Sequence, residues 1–273
     1  MRLLKILYGK AEQFSRLLLV NLWTPYNKSV LVVEYPKSGG TWLGQLISGC
    51  LVIPFPRNRF PILKRALFHG HYLPKGRITK NKRIILLVRD GRDVMVSYYH
   101  HQLIWNNKNK LTPNKVNYYR KTVGFTDYEN VKANMNKYLE YAFTHVPPKT
   151  QHFIFPGNWS QFHEQWLKSD NLKHVHIVRY EDLLTDCEAT LKNIFTFLGE
   201  TNVAEAHLKK VIAKYAFENQ TKRQKGEADK TNFLRKGIQG DWKNYFEEPE
   251  KKTFKKHAQH MLKELGYVNN ANW

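Results

Sequence analysis

Short β-branched runs alternate with amphipathic stretches along this chain, and that alternation sets the architecture. Residues 30–35 (VLVVEY) and 83–88 (RIILLV) are apolar runs of strand length, the type buried on both faces of a parallel sheet. A third run spans 174–178 (HVHIV), and 151–155 (QHFIF) predicts a further strand. The first three each pass through a polar turn into a helical pattern: 41–52, then a stretch carrying Val94, Val96 and Tyr98, then 191–198. Strands alternating with helices predict an α/β fold with a central parallel sheet flanked by helices. Residues 106–149 are polar, broken by Pro113, Pro147 and Pro148, and read as helices and loops beside the sheet, a common place for a substrate-selective lid. Residues 218–241 carry Lys222, Arg223, Lys225, Lys230, Arg235 and Lys236 and read as a loop that a ligand would order.

The first 29 residues stand apart from a single domain spanning 30–273. In 1–20, Leu4, Leu7, Ala11, Phe14 and Leu18 recur at helical spacing, while Arg2, Lys5, Lys10 and Arg16 break any continuous apolar core. A secretory signal would need that core and a small-residue cleavage site. The segment is either a helix packed on the domain's flank or a basic amphipathic helix touching an anionic membrane surface. No apolar run approaches the roughly 20 residues of a membrane span. Two cysteines, Cys50 and Cys187, cannot make a disulfide framework and favour a reducing, cytoplasmic setting. The 44 Lys and Arg against 23 Asp and Glu give a net charge of +21, which implies anionic partners.

The chemistry concentrates where the first strand turns into its helix, at Pro36-Lys37-Ser38-Gly39-Gly40. Glycines between a strand and a helix let backbone N–H groups converge on a phosphate, and the helix N-terminus adds partial positive charge. The segment is not a Walker A loop, because Lys37 precedes the glycines and no Gly-Lys-Ser/Thr follows them. Tyr35-Pro36-Lys37-Ser38-Gly39-Gly40-Thr41-Trp42-Leu43 resembles the 5′-phosphosulfate loop of the cytosolic-type sulfotransferases, usually written YPKSGTTWL. The stretch from Leu87-Val88-Arg89-Asp90-Gly91-Arg92 to Ser97-Tyr98-Tyr99 resembles that family's 3′-phosphate motif. Leu234-Arg235-Lys236-Gly237-Ile238-Gln239-Gly240-Asp241-Trp242-Lys243 resembles its C-terminal RKGxxGDWK motif. Gly157-Asn158-Trp159 with Trp166, and Tyr180-Glu181-Asp182, also fall in family order.

The resemblance implies a P-loop-like sulfotransferase fold and transfer of a sulfuryl group from 3′-phosphoadenosine 5′-phosphosulfate (PAPS) to an acceptor hydroxyl. It implies that Lys37 stabilises charge on the leaving oxygen. The amides of Ser38, Gly39, Gly40 and Thr41 would hold the 5′-phosphate, and Trp42 and Tyr180 the adenine. Arg89, Ser97, Arg235, Lys236 and the N–H of Gly237 would clamp the 3′-phosphate, and guanidinium suits that task by its bidentate geometry. The family's catalytic histidine aligns with His71 in Phe68-His69-Gly70-His71-Tyr72-Leu73-Pro74, with His69 its rival. His100 and His101 fit a lining role, Asp90 and Asp93 could pair with Arg89 or Arg92, and Tyr215 and Phe217 are either base-flanking or core aromatics. Gly40 stands where threonine is common, and 244–249 lacks the family's dimer segment KTVxxxE.

No metal is expected, since the transferred group carries little charge and no Asp/Glu/His cluster stands out along the chain. Two other readings fit parts of the pattern: an ATP-dependent phosphotransferase on a P-loop-like scaffold, and a nucleic-acid-binding protein. The lysine's position and the missing magnesium ligand count against the first. The absence of a recognition helix or RNA-binding signature counts against the second, so no nucleic-acid partner is expected. The acceptor depends on the loops at 58–64, 106–149 and 218–230, and the basic surface favours a glycan or anionic lipid over a small phenol.

Overall fold

The computed structural model describes residues 2–24, 26–57, 63–76, 78, 83–105, 113–146, 156–170, 172–230 and 232–273. The strand expected at 151–155 lies outside them, as do residues 58–62, 106–112 and 147–149 of the acceptor-facing loops. In order, the chain forms α1 (Arg2–Leu22), β1 (Val30–Glu34), α2 (Gly40–Leu51), β2 (Leu67–Gly70), β3 (Ile84–Val88) and α3 (Gly91–Tyr99). A π-helical turn (His100–Trp105) leads to α4 (Pro113–Val123), α5 (Val131–Thr144), α6 (Trp159–Leu167) and β4 (Val175–Arg179). Then come α7 (Tyr180–Thr185), α8 (Cys187–Leu198), α9 (Glu205–Lys214), α10 (Phe217–Thr221) and α11 (Glu248–Glu264).

The strands form one sheet in the order β2-β1-β3-β4, with every neighbouring pair parallel. The expected α/β fold with a central parallel sheet flanked by helices is therefore the observed one. The chain divides into two compact units, each assembled from separate segments.

The first unit, Met1–Glu34, Ser38–Val88 and Gln165–Ala216, contains the sheet. Every residue of β1 and β3 is buried, as their unbroken apolar runs require. Val30, Val32, Leu67, Ile85 and Leu87 pack with Leu43, Leu46 and Ile47 of α2, and with side chains of α8 and α9. Burying each such side chain contributes about 1.5–3 kcal/mol. Cys50 joins this core, where burial pushes its thiol up to about 11, and it forms no disulfide with Cys187. The N-terminal helix forms as expected. It buries Val20 and turns Phe14, Leu18 and Leu22 outward. No helix among the described residues is long and apolar enough to cross a membrane.

The second unit comprises Tyr35–Lys37, Arg89–Glu164 and Phe217–Trp273. Its helices pack through aromatic rings: Phe143, Trp159, Phe246 and Trp273 surround Phe254 of α11. Pro249 in its first turn and a capping box between Glu247 and Glu250 start α11. Gly91 opens α3 against this cluster, and a Cβ there would lie 2.7 Å from the Trp159 ring and 2.9 Å from Phe254. Gly91→Ala should therefore cost about 1–3 kcal/mol of stability through overpacking, visible as a lower thermal midpoint in differential scanning fluorimetry.

Candidate active site

In the first unit, β1 hands the chain to α2 through a turn that only glycine can complete. Gly39 has φ 107°, and a Cβ on it would lie 2.7 Å from the Tyr180 ring. Ser38 beside it is fully buried, and its Oγ has no hydrogen-bond partner among the described residues. A buried hydroxyl lacking a partner, next to the N–H groups of a helix start, fits an anion. Trp42 is anchored by its indole N–H to the Tyr215 carbonyl at 2.9 Å and meets Tyr180 edge-on at 5.8 Å. Tyr215 thus holds the tryptophan through its backbone.

The N–H of Gly40, expected to face a phosphate, donates instead to Glu34 Oε2 at 2.5 Å. The other carboxylate oxygen of Glu34 lies 2.9 Å from His69 Nε2, and the Glu34 carbonyl lies 3.0 Å from His71 Nδ1. The two imidazoles meet edge to face at 5.7 Å. Both histidine candidates are therefore gathered at the C-terminal ends of β1 and β2, where parallel sheets present their ligands. Glu34, His69 and His71 each bring a nitrogen or oxygen within 4.8 Å of the other two, the donor set that could hold a divalent cation. The sequence pattern had not shown this cluster, because its members lie 35 and 37 positions apart.

The second unit carries the cationic residues. Lys37 adopts φ 74°, and its Nζ sits 3.9 Å over the Phe233 ring. Arg89 donates from one guanidinium nitrogen to the Lys37 carbonyl at 3.1 Å and from another to the Ile238 carbonyl at 3.2 Å. Asp93, 2 % exposed, accepts from the N–H of Gly240 at 2.6 Å and of Trp242 at 2.8 Å. The three motifs widely spaced in sequence are thus joined through two side chains. Burial is the main influence on Asp93 and raises its pKa. Asp90 pairs with Arg92 at 2.7 Å, and the Arg92 guanidinium also lies over Trp242 and Trp273.

Arg235 and Lys236 both bind the Asp241 carboxylate, Lys236 at 2.5 Å. Burial would raise the Asp241 pKa, but the Arg235 charge and the hydrogen bonds from Lys236, Arg235 and Asn244 outweigh it and hold the group at about 2. Gly237 has φ 66°, and a Cβ on it would lie 2.5 Å from Phe217, whose ring packs against the glycine. Ser97 is half-buried on α3, the helix that follows Arg89.

His100 is buried near the hydroxyl of Tyr245, and burial followed by the charges of Arg235 and Lys230 pushes its pKa down to about 3. That makes it a poor proton acceptor, in keeping with a lining role. The loop expected to wait for a ligand is internally braced. Arg223 binds the carbonyls of Glu227, Leu234 and Arg235, and Gly226 N–H donates to the Lys236 carbonyl. One guanidinium satisfying three carbonyls orders a polar segment that composition alone marks as loose.

A parallel sheet whose first strand runs through a glycine-bearing loop into a helix defines the class as an α/β protein with helices flanking that sheet. A profile of the sulfotransferase domain matches residues 57–266, and the chain belongs to the sulfotransferase family. Among curated proteins it is similar to Sulfotransferase 2A1 of Homo sapiens, with 24% identity over 88% of this chain and 86% of the relative. It is also similar to Sulfotransferase 1B1 of Canis lupus familiaris, with 26% identity over 80% and 77%. Among solved structures, mouse sulfotransferase SULT7A1 complexed with PAP has the same fold, with a TM-score of 0.64 and 21% identity over 93% of this chain and 91% of that one. Retinol dehydratase in complex with androsterone and PAP aligns with a TM-score of 0.58 and 17% identity over 92% and 86%.

The Asp241 clamp yields a pH test. Unfolded, this carboxyl would titrate near about 3.9, against about 2 in the fold. The stability it supplies is complete above the unfolded value and is lost as pH falls through the folded one. Asp241→Asn should be less stable than wild type at neutral pH. The difference in thermal midpoint should shrink as the medium is acidified through that window.

Proposed function

We propose that this chain transfers the sulfuryl group of PAPS to a hydroxyl of an acceptor, which is a glycan, a lipid or a small alcohol. The observation that carries this reading is Arg89, whose guanidinium binds the backbone of both Lys37 and Ile238 and so ties the three nucleotide motifs together. Family membership and the PAP held by similar structures support the choice of donor.

In this scheme the acceptor oxygen attacks sulfur as the bond to the leaving nucleotide oxygen breaks. Positioning and electrostatics dominate the rate, as in phosphoryl transfer. Lys37 meets the charge that grows on the leaving oxygen. His71 takes the hydroxyl proton. The amides of Ser38, Gly39 and Thr41 and the buried Ser38 hydroxyl hold the 5′-phosphate, while the Gly40 amide stays on Glu34, and Trp42 and Tyr180 receive the adenine. Arg89, Ser97, Arg235, Lys236 and the Gly237 N–H bind the 3′-phosphate, which requires Arg235 and Lys236 to share their charge between Asp241 and the ligand. Through the outward Phe14, Leu18 and Leu22 of α1 and its net charge, the chain makes peripheral contact with anionic membranes, which would bring lipid acceptors within reach.

Lys37→Ala should lower kcat by about 10²–10³-fold while PAP still raises the thermal midpoint. A parallel loss of PAP binding would reduce Lys37 to a ligand-holding role, and stabilisation by ATP with magnesium alone would overturn the sulfotransferase reading. His71→Ala should abolish transfer, by about 10²–10⁴-fold, with donor binding retained. Normal activity in that variant would move the base to His69. The acceptor itself is to be sought by mass spectrometry of glycan, lipid and small-alcohol pools incubated with isotopically labelled donor.

A further inference from the structure

Strand alternation puts Val30, Val32 and Glu34 on one face of the sheet. The parallel register pairs Val32 with His69, so Leu67, His69 and His71 share that face. Along most of its length this face is apolar core against α2. At the C-terminal ends of the strands it changes to one carboxylate and two imidazoles.

Glu34 is only 4 % exposed, a costly place for a carboxylate unless it is fully bonded. It is bonded on both oxygens, by the Gly40 N–H and by His69. Burial raises its pKa, but the His69 hydrogen bond and the Gly40 amide lower it, and it lies below the ordinary carboxylate value. A carboxylate anion only accepts hydrogen bonds, so His69 must carry its proton on Nε2. A backbone carbonyl also only accepts, so His71 must carry a proton on Nδ1, and whenever the ring is neutral its lone pair falls on Nε2. Gly40 completes the arrangement. A Cβ there would lie 2.5 Å from His69 Nε2 and 2.6 Å from Glu34 Cδ, so the threonine common at this position in the family would not fit beside this carboxylate.

We propose that Glu34 is the positioning residue of the catalytic centre. It sets the proton positions of both histidines, and it ties them to the first amide of α2, so that base and donor loop move as one body. The proposal rests on the reading of His71 as the base, and it assigns that role to Nε2 of the ring.

The test is long-range ¹H–¹⁵N correlation spectroscopy of the imidazoles in the full chain near neutral pH, with EDTA present. Nε2–H on His69 and Nδ1–H on His71 are expected, and the reverse tautomer on either ring would overturn the proposal. In Glu34→Gln the amide oxygen is needed by the Gly40 N–H, so the NH₂ group faces His69. That ring should switch to Nδ1–H while His71 keeps its tautomer. With a working acceptor, kcat of this variant should fall by about ten- to a hundredfold, with the KM for donor within about twofold of wild type. A variant with unchanged tautomers and unchanged kcat would reduce Glu34 to packing. The expected tautomers in a chain that transfers nothing from PAPS would uphold the proton assignment and would overturn only the sulfuryl-transfer reading.

Discussion

Helix α2 begins inside the protein, and its first N–H groups have no helical partner. Orphan donors at a buried helix start must be met by something, and much of the surrounding chemistry answers that requirement. The left-handed Gly39 aims the chain so that Ser38 turns inward and α2 can start at once. Glu34 reaches forward from the end of β1 to accept from the Gly40 amide. The partial positive charge of the helix start is thus partly met by the protein's own carboxylate, while the buried Ser38 hydroxyl still lacks a partner among the described residues. The helix start thus already holds one anion, the Glu34 carboxylate.

The second unit solves a different problem, which is how to hold many cations close together. Asp241 does this for Arg235 and Lys236. Lys37 rests over the face of Phe233, and Arg89 spends two of its donors on carbonyls. Each contact offsets like-charge repulsion and orders a long, rotamer-rich side chain. Asp93 adds rigidity by pinning the turn at Gly240 and Trp242 to α3.

Strands β1, β3 and β4 were legible because strands in a parallel sheet read as apolar runs, and the helices following them because their apolar residues recur at helical spacing. Strand β2 was not, since Leu67-Phe68-His69-Gly70 is short and half polar, and its pairing with β1 supplies what its own sequence lacks. Helix α11 was missed as well. Its lysine-rich stretch hides Phe254, Ala258, Met261 and Leu262, which the aromatic cluster of the second unit buries. The charge of Glu34 at the end of an otherwise apolar strand was a visible signal, because a carboxylate is placed there only with partners.

Local sequence alone determined the alternating α/β order, the glycine turn between Lys37 and Trp42, and the family through its separated motifs. Backbone conformation and side-chain charge are short-range properties, so they can be read in place. Tertiary structure alone decided which partners those charges take: Glu34 with Gly40 and His69, Asp93 with Gly240 and Trp242, Asp241 with Arg235 and Lys236. It also decided that His69 and His71 share one carboxylate-bearing residue. The parallel register brings those residues together across the sheet, and register belongs to the pairing of strands rather than to either strand by itself.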